Sequence, residues 1–260
     1  MPAASRLTIP DLAGKAILIT GASTGIGAAL ARAFGAQGAK VAVHYNSSAA
    51  AAEAVAKDIK QAGGTAVLVR GDVSDAKVTA RIVEEAAGAL GGLDGLVNNA
   101  GLMLGRMPFT EISDEHYDGV MDLNARSVFA AIRAATPHLK KSRGFIINTT
   151  SIAARNGGGG GSVLYAASKG FVSTATRGLA RELIGSGIRV NGVAPGVIET
   201  PFHDRYSTPD QMKAMVAAIP MGRAGTAEEC VGAYLFLASP MLSGYIIGQV
   251  IEVNGGQLMP

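Results

Sequence analysis

Cysteine is nearly missing from this chain: Cys230 is the single one among 260 residues. One thiol cannot close an internal disulfide or build a cysteine-based zinc cluster, so neither a bridge nor a bound metal is expected. Long apolar runs are lacking as well. No stretch of about eighteen apolar residues is available to cross a bilayer, and the start carries neither a charged n-region nor an apolar h-region. Charge of one sign is also scarce. Twenty-three Lys and Arg against 20 Asp and Glu leave a net +3. The cations are scattered singly, without a basic stripe or interleaved aromatics, which describes solvated surface rather than a nucleic-acid footprint. The expectation is a cytoplasmic protein with no membrane and no nucleic-acid partner.

Glycine, by contrast, is plentiful at 35 residues, and 48% of the chain is hydrophobic against 17% charged. That composition supports a well-filled core, and no Pro- or Ser-rich linker divides residues 1–260, so one α/β domain is expected. Short β-branched runs at 16–20, 40–45, 66–70, 95–98, 144–149, 189–194 and 250–253 read as seven strands. Helical patterns at 26–37, 49–61, 76–90, 114–139, 163–184 and 227–238 alternate with them. Such alternation predicts right-handed βαβ units, a doubly wound parallel sheet and helices on both faces. The strand sequences AILIT, FIINT and GLVNN are apolar on both faces, as buried parallel strands are. Two stretches break the rhythm. Residues 195–221 show no clear strand and at most a short helix at 210–218; their length suits a lid at the sheet's carboxyl edge. The five glycines at 157–161 have no propensity for a fixed structure and read as a mobile loop.

The stretch TGASTGIG at 20–27 has two readings. Gly21-Ala22-Ser23-Thr24-Gly25 matches the G-x-S-x-G turn that presents a nucleophilic serine. Gly21, Gly25 and Gly27 also match a glycine loop opening a helix, where unpaired N–H groups and the helix dipole bind phosphate. Position decides between them. Only an N-terminal tail and one strand precede Ser23, which leaves no earlier strand for an oxyanion loop. His203 is the sole late histidine for a triad, and His44, His116 and His138 lack an acid in suitable order. Ser23 is therefore a turn residue of a cofactor cradle.

A second pattern, Tyr165-Ala-Ala-Ser-Lys169, sets a phenol and an ammonium at i and i+4, on one helix face. Free tyrosine titrates near 10 and exchanges protons poorly at neutral pH. Lowering that by about three units takes roughly 4 kcal/mol of differential stabilisation, which a lysine together with an oxidised nicotinamide can supply. A proton could then pass between Tyr165 and a substrate oxygen as hydride moves. Alone, the pair is an ordinary helix surface.

Together with Thr20–Gly27, Asn98-Asn-Ala-Gly101, Asn124, Ser151 and Pro195-Gly196 in this order, the chain resembles the short-chain dehydrogenase/reductase family from about residue 11 to 258. The resemblance implies a seven-stranded Rossmann-type sheet, a nicotinamide coenzyme and a homotetramer or dimer. It assigns Tyr165 as acid/base and Lys169 to tuning Tyr165 and bonding the nicotinamide ribose. Ser151 would polarise the substrate oxygen, and Asn124 would hold a water linking Lys169 to solvent. Gly21, Ser23, Thr24, Gly25, Ile26 and Gly27 are assigned to the pyrophosphate loop, and Asp72 and Val73 to adenine. Asn98, Ala100 and Gly101 are assigned to the adenosine ribose, and Pro195, Gly196, Ile198 and Thr200 to the carboxamide. Bland roles stand beside these: a turn or cap for Ser151, a helix-interior polar group for Asn124, an N-cap neighbour for Asp72.

The second strand ends His44-Tyr45-Asn46-Ser47-Ser48, with Tyr45 where an acid that binds the ribose 2′-hydroxyl is expected. Asn46, Ser47 and Ser48 offer donors at a helix N-terminus, which suits a 2′-phosphate and points to NADP, with NAD as the alternative. Thr24 stands where many NADP-preferring relatives carry a basic residue. The substrate is a small carbonyl or alcohol compound, in a partly apolar pocket from 102–107, 152–164 and 195–221. Met103, Leu104, Ile152, Val163, Leu164 and Phe202 line it in this reading, with Arg155 and His203 available to a polar or anionic group. A 3-oxoacyl-thioester reductase, a sugar or polyol dehydrogenase, and a steroid or small-ketone enzyme are all compatible. A non-catalytic dinucleotide sensor is the reading of another class, and it gives no reason for Ser, Tyr and Lys to stand together.

Overall fold

The computed structural model describes residues 8–260; the seven residues before them, part of the start read for a leader pattern, lie outside the described residues. Six strands, β1 (Ala16–Ile19), β2 (Lys40–Tyr45), β3 (Thr65–Arg70), β4 (Gly95–Asn98), β5 (Phe145–Thr149) and β6 (Arg189–Pro195), follow one another along the chain. Two-residue strands β7 (Ile198–Glu199) and β8 (Gly225–Thr226) pair with each other, and β9 (Val250–Val253) completes the main sheet. That sheet is parallel throughout, in the order β3-β2-β1-β4-β5-β6-β9. Chain order reverses between β1 and β4, and in such sheets the ligand crevice opens there, beyond the carboxyl ends of the strands.

The helices are α1 (Gly25–Ala36), α2 (Ala49–Gln61), α3 (Ala76–Leu90), α4 (Asp114–Met121), α5 (Ser127–Ser142) and α6 (Ala153–Asn156). After them come α7 (Val163–Leu183), α8 (Pro201–Tyr206), α9 (Pro209–Ala217), α10 (Ala227–Ala238) and α11 (Pro240–Ser243). Alternation along the strands sends side chains to opposite faces. Ile17 and Ile19 of β1 pack on one side with Phe34, Val55, Ile59 and Leu237, under α1, α2 and α10. Leu18, between them, joins Ile82, Val83, Ile132 and Val172 on the other, under α3, α5 and α7. Both faces are covered, which is why the strands read as unbroken apolar runs.

Three expectations change. The single helix expected over 114–139 is two helices joined by a π-helical turn, Asp122–Arg126, closed by the Ser127 N–H on the Asp122 carbonyl. Its cause is Asn124, whose side-chain amide donates to the Val120 carbonyl four residues back at 2.9 Å and to Leu102 at 2.8 Å. A side chain that takes a carbonyl from the backbone ladder widens the turn. Residues 195–221 do contain a strand, β7, and two helices, α8 and α9. Both helices begin with proline at N1, where a missing N–H costs nothing. The glycine run is tethered rather than free. The Arg106 guanidinium donates to the Gly160 carbonyl at 2.9 Å, the Met107 N–H to Gly161 at 2.9 Å, and Ser162 to Gly159 at 2.6 Å. Left-handed φ at Gly157, Gly158 and Gly161 lets the chain turn back between these anchors.

Candidate active site

The crevice is built first by the segment between β1 and α1. Gly21 and Gly25 have φ of +64° and +53°, a region that favours glycine. A Cβ on Gly27 would run into the Gly21 carbonyl and the Asn99 amide, so the loop can fold back on the helix only without one. No side chain caps α1 at Thr24. Its first-turn N–H groups are thus left to an outside acceptor, the feature that suits a helix start to pyrophosphate.

Thr20 and Asn99 fasten this loop to β4. The Thr20 hydroxyl accepts the N–H groups of Asn99 and Ala100, both at 3.0 Å. The Asn99 amide donates to the carbonyls of Thr20 and Gly21 at 3.0 and 3.1 Å. Asn99 lies inside the quoted NNAG stretch, yet the reading there passed from Asn98 to Ala100. The Asn98 side chain is buried and donates to Asn148 at 2.9 Å, tying β4 to β5 beneath the crevice. Ala100 and Gly101 remain at the crevice floor, half-buried.

The catalytic candidates converge. Lys169 stands one turn beyond Tyr165 on α7, its Nζ 5.8 Å from the Tyr165 ring centre. The ammonium is buried and donates to the Thr149 carbonyl, at the end of β5, at 2.9 Å. Ser151, two residues on, lies near enough to the Tyr165 phenol to lower its pKa, and its hydroxyl accepts the Ala153 N–H at 3.1 Å. Asn124 Oδ1 is buried without a partner. A Cβ on Gly101 would lie 2.6 Å from that oxygen and 3.0 Å from Lys169 Nζ, so amide and ammonium flank one glycine.

Electrostatics correct one expectation. Burial pushes the half-buried Tyr165 phenol up to about 12, partly countered by the nearby Ser151 hydroxyl, rather than down under the influence of Lys169. Burial also brings Lys169 down to about 8. Desolvation disfavours the charged form of each group and is the leading cause of both shifts. At neutral pH the site therefore presents a protonated phenol beside an ammonium.

Around the crevice, Asp72 is exposed and folds back to accept the N–H and hydroxyl of Ser74 at 2.9 and 2.8 Å. The Val73 side chain is buried in the core, and its carbonyl accepts the Thr79 hydroxyl at 2.9 Å. Tyr45 is half-buried and Asn46, Ser47 and Ser48 are exposed, before an α2 start that no side chain caps. Arg70, which the sequence reading did not single out, donates from Nε to the Asn46 carbonyl at 3.3 Å. Pro195 accepts the Ile152 N–H at 2.9 Å, and Gly196 packs so tightly on Asn254 that a Cβ would come within 2.7 Å. Ile198 is buried; Thr200 starts α8 against Gly25, 3.3 Å from where its Cβ would stand. The segment that the resemblance assigns to the carboxamide thus meets the glycine loop at Gly25. Ile26 packs against the core, and Ser23 and Thr24 make no hydrogen bond to any histidine or carboxylate among the described residues.

At the rim, the Phe202 ring of α8 packs at a tilt against Tyr165 at 5.4 Å and edge-to-face against Tyr206 at 5.1 Å. Arg106 holds the same helix, donating from Nε to the Tyr206 carbonyl at 2.6 Å. His203 bonds Ser207 at 3.0 Å, its pKa lowered by burial and then by Arg106. Arg155 is exposed. No group of three metal-ligating side chains occurs among the described residues, and no described helix is long and apolar enough to cross a membrane. An uncapped helix start behind left-handed glycines, with a lysine and an orphaned amide oxygen beyond it, fits a dinucleotide.

Known proteins agree with this geometry. The family model described as enoyl-(acyl carrier protein) reductase matches residues 21–257. The 3beta-hydroxysteroid dehydrogenase 1 of Eggerthella lenta is 38% identical over 252 residues, 96% of this chain and 95% of the relative. The 3-oxoacyl-acyl-carrier-protein reductase FabG of Staphylococcus aureus is 38% identical over 247 residues, 94% of this chain and 98% of the relative. A crystal structure of NADH-dependent reductase A1-R′ complexed with NAD superposes with a TM-score of 0.87 at 39% identity, covering 97% of this chain and all of that one. A doubly wound sheet, a glycine cradle at its switch point and the Ser-Tyr-Lys cluster beyond it belong together here: the chain is a member of the short-chain dehydrogenase/reductase family, whose enzymes are NAD(P)-dependent oxidoreductases.

Proposed function

We propose that this oxidoreductase reduces ketone carbonyls with NADPH, with 3-oxoacyl thioesters as its substrate class and Ser151, Tyr165, Lys169 and Asn124 as its catalytic set. One observation carries the reading: the Tyr165 phenol stands beside Ser151, with the buried Lys169 ammonium 5.8 Å from its ring. When bound, the nicotinamide supplies hydride to the carbonyl carbon. Tyr165 donates its phenolic proton to the carbonyl oxygen, and Ser151 polarises that oxygen by a hydrogen bond. Lys169 stabilises the phenolate left behind, since a cation nearby favours the charged form. The Thr149 carbonyl holds Lys169 in place, while Asn124 Oδ1, without a protein partner, lies beside the same glycine, Gly101.

NADPH rather than NADH is supported by the second strand's end, where no carboxylate opposes a 2′-phosphate. Donors at Asn46, Ser47 and Ser48 and the Arg70 guanidinium stand there instead. The NADH-dependent description of the A1-R′ reductase points the other way. Thioester reduction is supported by the FabG relative, and the hydroxysteroid dehydrogenase relative, equally identical, supports secondary alcohols as a second class. A coenzyme-coupled absorbance screen over ketones, 3-oxoacyl thioesters, steroids and polyols tests both. Higher kcat/KM with NADPH is expected, with Arg70→Ala narrowing the difference; a tenfold preference for NADH overturns the coenzyme reading. Tyr165→Phe is expected to bind coenzyme normally and lose at least about a hundredfold in kcat. An active Phe variant would falsify the role of Tyr165.

A further inference from the structure

Beneath the pyrophosphate loop lies a titratable side chain that the reaction does not use. His44, near the end of β2, is 2% exposed. Its Nδ1 lies 3.0 Å from the Gly21 nitrogen, and its Nε2 lies 3.0 Å from the Gly71 carbonyl oxygen. A backbone N–H can only donate and a carbonyl can only accept, so the ring has one consistent state: Nδ1 bare, Nε2 protonated, no net charge. The His44 carbonyl grips the same loop, accepting the Ala22 N–H at 2.8 Å, while the Tyr45 carbonyl accepts the Gly71 N–H at 3.0 Å.

Gly21 is the first glycine of the phosphate cradle, held at φ +64°, and Gly71 immediately precedes Asp72. One imidazole therefore spans the loop assigned to the pyrophosphate and the loop assigned to adenine. We infer that His44, as the neutral Nε2–H tautomer, is a positioning residue that sets the spacing of these two subsites, and that its protonation weakens dinucleotide binding. It rests on those two loops holding the coenzyme. An imidazolium would oppose an N–H to the Gly21 N–H; a buried donor left without an acceptor is expensive, so the loop must shift. A proton that binds better to the empty cradle than to the filled one is released by the coenzyme to the same extent.

The charges around the ring set the direction. Burial lowers its pKa, and the nearby Asp72 partly restores it. Arg70 and Arg81, the cations nearest Gly71, are engaged with the Asn46 and Arg70 carbonyls, and residues 16–27 carry no charged side chain. The ring is therefore neutral at pH 7, and affinity falls only as the medium becomes acidic.

ADP-ribose is the probe, because it spans both subsites, lacks the nicotinamide and carries no 2′-phosphate to titrate; its second ribose meets Lys169, which stays an ammonium as the medium becomes acidic. Its affinity is measured by calorimetry from about pH 7.5 to 5, alongside the side-chain nitrogen spectrum of His44. Wild type should show one bare and one protonated ring nitrogen at neutral pH, and lose about tenfold in affinity as the ring takes up its second proton. His44→Asn, which keeps an acceptor without a pKa, should bind within about threefold of wild type at pH 7.5 and stay flat. Affinity unchanged while the ring titrates, falling while it does not, or falling equally in His44→Asn overturns the inference. Should the ring stay neutral and affinity flat, His44→Phe decides: a tenfold loss at pH 7.5 supports the role and unchanged binding refutes it. No ADP-ribose binding at any pH removes the cradle reading itself, and the inference with it.

Discussion

At the scale of single residues, the site is defined by what burial does to Lys169. A lysine brought from 10.5 to about 8 is held charged at neutral pH against its surroundings. The unfolded chain keeps its proton up to about 10.5, so folding is penalised below pH 8, and the penalty fades as pH rises from 8 to 10.5. At about 1.4 kcal/mol per unit the penalty is on the order of 3 kcal/mol. Lys169→Met should therefore raise the unfolding midpoint in denaturant at pH 7 while abolishing turnover, a trade-off common where function needs a strained site. A destabilised Met variant would show that the ammonium is not desolvated. In the wild type, the rate of reduction should fall above about pH 8 as the ammonium is lost, and a flat profile through that range would remove Lys169 as the stabilising charge. Residue identity was legible from the sequence: the Tyr165–Lys169 spacing holds because both sit on one helix. The sign of the phenol's shift was not, because spacing reveals a neighbouring charge but not how much water the fold removes from it.

At the scale of elements, the π turn at Asp122–Arg126 is what delivers Asn124 to the site. Its amide joins the helix to the loop after β4, and its oxygen is left free beside Gly101 and Lys169. Asn124→Ala removes both bonds and leaves the Leu102 carbonyl short of a donor, a loss of about 1–3 kcal/mol. The expected outcome is a lower melting temperature together with a lower kcat, and a crystal structure showing residues 114–142 as one α-helix. An Asn124→Ala chain with wild-type turnover would make the turn purely architectural. Periodicity predicted an unbroken helix here because apolar spacing continues through the turn; the break comes from one side chain competing for a carbonyl, which a hydrophobic pattern does not register. The glycine run is the reverse case. Its composition promises disorder, but Arg106 and Met107, fifty residues earlier in the chain, supply the bonds that tether it.

At the scale of the whole molecule, α5 and α7 leave Phe129 and Phe171 exposed, their rings 5.2 Å apart. We propose that this face meets its own copy across a two-fold axis in a homotetramer, where one apolar patch serves both partners. Sedimentation should then find a tetramer that Phe129→Asp and Phe171→Asp break into smaller species; a monomeric wild type would rule the assembly out. The seven strands of the main sheet, their order of appearance and the motifs along them follow from the amino-acid sequence alone, because apolar periodicity and short spacings are local properties. Which strands become neighbours, how far the buried phenol departs from its ordinary pKa, and that His44 bridges two loops 50 residues apart are decided only by the tertiary structure. Each of these depends on distances between segments remote in the chain, and on the water their packing excludes.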